Sequence, residues 1–90
     1  YSITMTNLDM LGLTASFFTT SSFIPQVIRT WKTRDVSGIS LSTYVIITIG
    51  LLLWLTYGVI KNDLPLIVAN STMVLLTLAI AVMKIIFEKK

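Results

Sequence analysis

FIPQVIRTWKTRDVSGISL, residues 23–41, ends one apolar run, packs Arg29, Lys32 and Arg34 into six residues, and opens a second apolar run. In between, Asp35 to Gly38 (DVSG) is turn chemistry, and Ser40 stands where a helix N-cap belongs. A basic connection between two apolar helices is the signature of a loop at a membrane face. Working outward, three apolar stretches emerge: Leu8 to Ile28, Leu41 to Ile60 and Leu64 to Phe87. Each has about 20 residues, enough to cross ~30 Å of hydrocarbon at ~1.5 Å per residue. The expected organisation is one membrane domain over residues 1–90. Its spans are about 8–28, about 41–60 and about 65–87, joined by a basic cytoplasmic loop at 29–39 and an outer turn at 61–64.

Composition points the same way. The chain is 54% hydrophobic and 12% charged, with a mean hydropathy of +0.86, whereas soluble domains carry about 25% charged residues. A 90-residue soluble domain has too little interior to hide so much apolar surface. There is no cysteine, so disulfides and thiol chemistry are not available, and no histidine, the usual residue of zinc sites and neutral-pH proton shuttles. No nucleophile–base–orienter set, metal-ligand cluster or phosphate-cradling glycine loop is apparent, so the chain reads as neither an enzyme nor a metal or cofactor protein. The net charge of +3 reflects cations at helix ends, not an exposed basic face. It speaks for membrane orientation over a nucleic-acid partner.

Arg29, Lys32 and Arg34 fall in the first connection, and Lys84, Lys89 and Lys90 at the C-terminal end; only Lys61 is in the second connection. Three crossings therefore place six of seven cations on one side. The positive-inside rule puts the N-terminus and the Lys61 turn of this multi-pass chain outside and the basic loop and C-terminus in the cytoplasm. The first stretch has Asp9 at its start and no basic n-region, so it reads as a span rather than a signal peptide. In the second connection, KNDLP at Lys61 to Pro65 is a tight turn with proline near the first helical position. The second and third helices should form a close antiparallel pair.

Polar residues within the spans need partners or a wet cavity. The first helix carries Thr14, Thr19, Thr20, Ser21, Ser22 and Gln26, with Pro25 near its inner end. Proline removes an amide donor and presses on the carbonyl of Ser21, so a kink is expected there, with neighbouring hydroxyls re-satisfying the freed groups. The kink is either static or a hinge. Trp54 lies seven residues before Lys61 and Asn70 seven after Asp63, so each sits ~10 Å from the outer turn, at one level of an antiparallel pair. Asn70 is either interhelical glue, with Trp54 as packing, or the two are a flat stacking face and an amide, a combination that suits a sugar.

Tyr57, one turn outward of Trp54 and beside Lys61 and Asp63, is either an interfacial belt residue or part of an outer closure. Thr43 and Tyr44 hold the matching position at the inner end of the second helix. Asp9, Asp35, Asp63 and Glu88 all map to ends or turns. With no acid inside a span to relay protons, downhill transport is the better expectation than proton coupling. Three helices of ~10 Å diameter pack without a lumen, so a solute path requires oligomerisation.

The segment Phe23 to Leu41 resembles the PQ-loop signature, with Pro25-Gln26, the basic stretch and D-x-S-G-I-S-L from Asp35 to Leu41. Together with WLTYG at Trp54 to Gly58 and Asn70, it resembles the bacterial SemiSWEET sugar transporters of the SWEET/PQ-loop family, over nearly the whole chain. The resemblance implies an all-α membrane protein whose triple-helix bundle has the third helix between the other two, functioning as a parallel homodimer. It implies facilitative uniport of mono- or disaccharides by alternating access through a central pocket, with no cofactor. By the same resemblance Trp54 and Asn70 bind substrate, Tyr57, Lys61 and Asp63 form the extracellular gate, and Pro25 with Gln26 the hinge. Tyr44 and Thr43 are the expected intracellular gate. Lys61 departs from the arginine common in relatives and lacks its bidentate fork. Alternatives are a PQ-loop carrier of another small solute, such as an amino acid, or a membrane scaffold or accessory subunit.

Overall fold

Thr6 opens the first helix with a capping box. Its hydroxyl accepts the Asp9 N–H at 3.0 Å, and the Asp9 carboxylate accepts the Thr6 N–H at 3.1 Å, so two orphan donors are satisfied reciprocally. The computed structural model describes residues 6–88, which form three α-helices: α1 (Asn7–Thr33), α2 (Leu41–Lys61) and α3 (Leu64–Glu88). Lys89 and Lys90, counted above among the C-terminal cations, lie outside the described residues.

α1 is longer than expected. It continues through Arg29 and Lys32, so the connection to α2 is residues 34–40 instead of the expected 29–39. The physical reason is local: Val27 to Thr33 contains no helix breaker, and the last turns reinforce themselves. Thr30 Oγ1 donates to Gln26 O at 2.8 Å and Thr33 Oγ1 to Arg29 O at 2.9 Å. Leaving hydrocarbon does not end a helix; satisfying its final carbonyls does. That occurs at Arg34, which adopts the left-handed conformation (φ 59°) and donates its N–H to Thr30 O at 2.8 Å.

The connection itself is a hydrogen-bonded turn one residue later than the DVSG reading. The Ile39 N–H donates to Val36 O at 3.1 Å, and Asp35 supports the turn from outside. Its carboxylate accepts the Ser37 N–H at 3.1 Å and the Ser37 hydroxyl at 2.8 Å. These bonds, the backbone one foremost, hold the Asp35 carboxyl below its ordinary value of 3.8. Ser40 then caps α2 by accepting the Thr43 N–H at 3.3 Å. At the other end, Asn62 is left-handed (φ 55°), the Asp63 N–H closes on Gly58 O at 2.9 Å, and Asp63 accepts the Leu66 N–H at 3.3 Å to start α3.

α3 packs between α1 and α2, and no residues of those two approach each other closely. Gly12 of α1 lies against Pro65, and near the other end Trp31 lies 6.0 Å from Phe87, so α1 and α3 run parallel. Gly58 lies against Leu66 and Ile67, and Thr48 bonds to Thr77, so α2 and α3 are antiparallel. Both glycines mark close approaches, since a Cβ would lie 2.8 Å from Pro65 Cβ at Gly12 and 3.0 Å from Leu66 Cβ at Gly58. Consequently the interior belongs mostly to the central helix: Val74, Thr77, Ile80, Ala81 and Met83 are buried.

The bundle measures 50 × 22 × 16 Å along its principal axes, long enough for a ~30 Å hydrocarbon slab. α2 and α3 are each long and apolar enough to cross a membrane; α1 has the length but dilutes its apolarity with hydroxyls. Their outward faces carry bare apolar side chains, Leu53 at 68% and Leu75 at 69% exposure among them. An all-helical protein with such a surface is solvated by lipid or by other helices.

Candidate functional site

The register of α2 on α3 sets the depth of the polar residues. Thr48 and Thr77 hydroxyls meet at 2.9 Å in the buried middle, and Gly58 faces Leu66 and Ile67 near the outer turn. Between these two fixed points Trp54 is level with Asn70, as the sequence spacing expects. Level is not contact, however. Trp54 is 56% exposed and lines a groove of about 390 Å³ with Gly50, Leu53 and Tyr57, which does not include Asn70.

Asn70 is buried, and its Nδ2 donates to Leu66 O one turn back at 2.8 Å. That bond ties the amide to its own helix instead of gluing it to a neighbour. No described donor reaches Oδ1, which is not sealed in the interior. An acceptor with a free lone pair at this depth can take a hydrogen bond from a hydroxyl. Trp54 is oriented by Tyr57, whose ring meets it edge-on with centroids 5.6 Å apart.

The outer trio is only partly gathered. Lys61 Nζ lies 6.0 Å from the Tyr57 ring centroid. Asp63 is committed elsewhere: it caps α3 and lines a groove of about 620 Å³ between α1 and α3 with Thr6, Asp9 and Gly12. Among the described residues Asp63 makes no ion pair with Lys61.

At the other end Gln26 and Tyr44 line one groove of about 540 Å³, together with Arg29, Thr30, Asp35 and Ile80. One of the two expected hinge residues and one of the two expected inner-gate residues are thus brought to a common space, which sequence spacing alone did not indicate. Thr43 is not part of it; its hydroxyl donates to Ser40 Oγ at 2.9 Å and braces the α2 cap. Pro25 lies inside a continuous α1. Of the neighbouring hydroxyls expected to re-satisfy the freed backbone groups, Ser22 Oγ donates to Thr19 O at 2.6 Å, and no described side chain donates to Ser21 O.

Two inner-end residues act in ways the sequence reading missed. Lys84, counted as an orienting charge, is buried. It donates to Val36 O at 3.1 Å and to Glu88 at 2.8 Å, stapling the connection to α3. Its position inside the third apolar stretch, one turn before an acid, was the available signal. Arg34 lies over the rings of Trp31 (5.1 Å) and Phe87 (4.5 Å), a stack that no sequence pattern announces.

Comparison with known proteins places this geometry. Residues 8–67 match the family model described as PQ loop repeat. The chain is similar to a sugar transporter SemiSWEET of Escherichia coli, 35% identical over 96% of this chain and 97% of that protein. It is 42% identical to one from Leptospira biflexa over 69% of this chain and 73% of the relative. A crystal structure of SemiSWEET in the inward-open conformation superposes with a TM-score of 0.83 and 34% identity, covering 90% of this chain and 94% of that one. The Pro25-Gln26 motif, the α1–α3–α2 packing and the identity over most of each relative's length converge on one assignment: this chain belongs to the PQ-loop family, among its SemiSWEET members.

Proposed function

We propose that the chain carries mono- or disaccharides down their gradient across the cell membrane, as a parallel homodimer that alternates access to a central pocket. The observation that carries this reading is the open Trp54 ring at the depth of the Asn70 amide, in a bundle too thin to enclose a solute by itself. Two copies supply two aromatic faces and two amides around a shared axis. Aromatic stacking on the ring plane and hydrogen bonding to hydroxyls are the two interactions a sugar offers. The relatives are named as transporters of sugar, which supports the substrate class and speaks against an enzyme.

Each protomer leaves its outer gate incomplete, because Asp63 turns toward α1 while Tyr57 and Lys61 stay on α2. Closure is then a contact across the dimer, completed when the two outer turns approach. At the inner end the hinge is Pro25, whose Ser21 carbonyl has no described side-chain donor to lock it. Bending there moves Gln26 and widens the groove it shares with Tyr44. No carboxylate lies in the membrane interior to couple protons, and the basic end, with Arg29, Lys32 and Arg34, faces the cytoplasm.

Uptake of radiolabelled sugars into proteoliposomes tests the reading. Trp54→Ala and Asn70→Ala should each remove most of the flux while the protein still folds and dimerises. Normal flux in either variant sinks the pocket assignment. A panel of sugars and amino acids, run with and without a pH gradient, decides between substrate classes and reveals any coupling.

A further inference from the structure

A second groove between α1 and α3 at the basic end, about 560 Å³, shares no residue with the Gln26–Tyr44 groove and includes none of the residues proposed for the transport path. It is lined by Val27, Ile28 and Trp31 of α1 and Leu78, Val82 and Met83 of α3, and its walls are almost wholly apolar. Trp31, at its mouth, is 59% exposed. Directly over Trp31 is the Arg34 guanidinium, 5.1 Å from that ring and 4.5 Å from the Phe87 ring.

Two aromatic faces fix this guanidinium in place, and among the described residues no carboxylate or carbonyl takes its side-chain N–H donors. Arginine held by cation–π contacts, with an unspent planar fork, is preorganised for a bidentate oxyanion. The nearest acids are engaged: Asp35 accepts from Ser37, and Glu88 from Lys84. This end carries Arg29, Lys32, Arg34 and Lys84 against those two carboxylates, so its local field is positive. α1 is 27 residues, ~40 Å, against ~30 Å of hydrocarbon, which puts Trp31 and Arg34 at headgroup level when the bundle spans the bilayer.

We infer that Arg34, Trp31 and the α1–α3 groove form a binding site for an anionic glycerophospholipid of the adjacent leaflet. The phosphate and any second anionic group pair with the Arg34 fork, the glycerol backbone lies against Trp31, and the upper part of one acyl chain fills the groove. An apolar slot alone would accept any lipid. Charge complementarity at its mouth selects the anionic ones. The site adds nothing to sugar recognition; it anchors the α1–α3 pair on the basic side of Pro25, so it resists movement of that segment.

The test uses full-length protein with Trp54→Phe, which leaves Trp31 as the sole tryptophan, in vesicles of phosphatidylcholine and phosphatidylglycerol. Acyl chains are brominated on one lipid at a time, and Trp31 quenching is read against composition. Phosphatidylglycerol should compete for the Trp31 contact with about a three- to tenfold preference, the range expected for one near-surface arginine. Arg34→Gln should bring the ratio to near unity and Arg34→Lys should keep part of it. Lys61→Gln, at the opposite end, should leave it unchanged. Equal quenching by both lipids in the parent protein, or an Arg34→Gln protein that keeps its preference, overturns the proposal. Quenching by neither lipid would show the groove covered by protein and overturns it too.

Discussion

Gly12→Ala should loosen the half of the bundle around the α2–α3 turn by a calculable amount. A Cβ at Gly12 lies 2.8 Å from Pro65 Cβ and 3.1 Å from Pro65 Cγ, against ~3.5–4.0 Å for comfortable carbon contact. Pro65 is a ring on the first turn of α3 and cannot rotate aside, so the helices must separate by about 1 Å or bend. Overpacking of this kind costs about 1–3 kcal/mol, and the alanine recovers ~0.5–1 kcal/mol of helix propensity, leaving a net loss centred on ~1 kcal/mol. Gly58→Ala meets Leu66 Cβ at 3.0 Å and Ile67 N at 3.4 Å, a conflict milder by distance. Its loss should be smaller. Equilibrium unfolding in mixed micelles, followed by far-UV circular dichroism, measures both. A double variant, Gly12→Ala with Pro65→Gly, should recover most of the Gly12 penalty through a favourable coupling term. A Gly12→Ala protein as stable as the parent, or less affected than Gly58→Ala, would refute the close approach of α1 and α3.

The buried hydroxyl pair Thr48–Thr77 should show a coupling energy of about 0.6 kcal/mol in a double-mutant cycle with valine, since membrane interhelical bonds are modest. A coupling near zero would mean the hydroxyls satisfy only their own helices. Lys84→Met removes the staple on Val36, and the Ile39 amide, whose N–H shares that carbonyl, should exchange roughly tenfold faster with little change in the bundle. Gly50→Leu meets no protomer atom within 4 Å of its Cβ, so it should leave folding intact yet fill the Trp54 groove and abolish most sugar uptake. For Asp35 the folded-state pKa lies below the unfolded one. Its stabilisation of the turn is therefore full above the ordinary value of 3.8 and lost as pH falls through the lower folded value. Amide exchange at Ser37 should accelerate only in that acidic window, and Asp35→Asn should remove the pH dependence.

The helical architecture was legible because hydrophobic runs and turn residues speak locally. Ser40, Asn62-Asp63 and Pro65 punctuate the chain where their backbone chemistry dictates. The end of α1 was not legible, since charge marks where hydrocarbon stops and says nothing about where carbonyls become satisfied. Depth was also readable: rise per residue alone put Trp54 and Asn70 on one level. What spacing could not supply was azimuth. Asn70 faces inward and Trp54 outward, and Asp63 turns from Tyr57, because those directions follow from how α3 is wedged between its neighbours. Lys84 was misjudged for the same reason: its partner, Val36, is 48 residues away along the chain.

That wedge has a consequence for biogenesis. α1 and α2 emerge from the ribosome before α3, yet within one chain they have no surface for each other. The tertiary contacts that join the three helices all run through α3. Until α3 is inserted, the first two spans are independent guests of the bilayer, exposed to quality control and to unrelated helices. A stop codon between α2 and α3 would leave two helices with no packed partner in the chain, and the point of commitment in assembly is the insertion of α3.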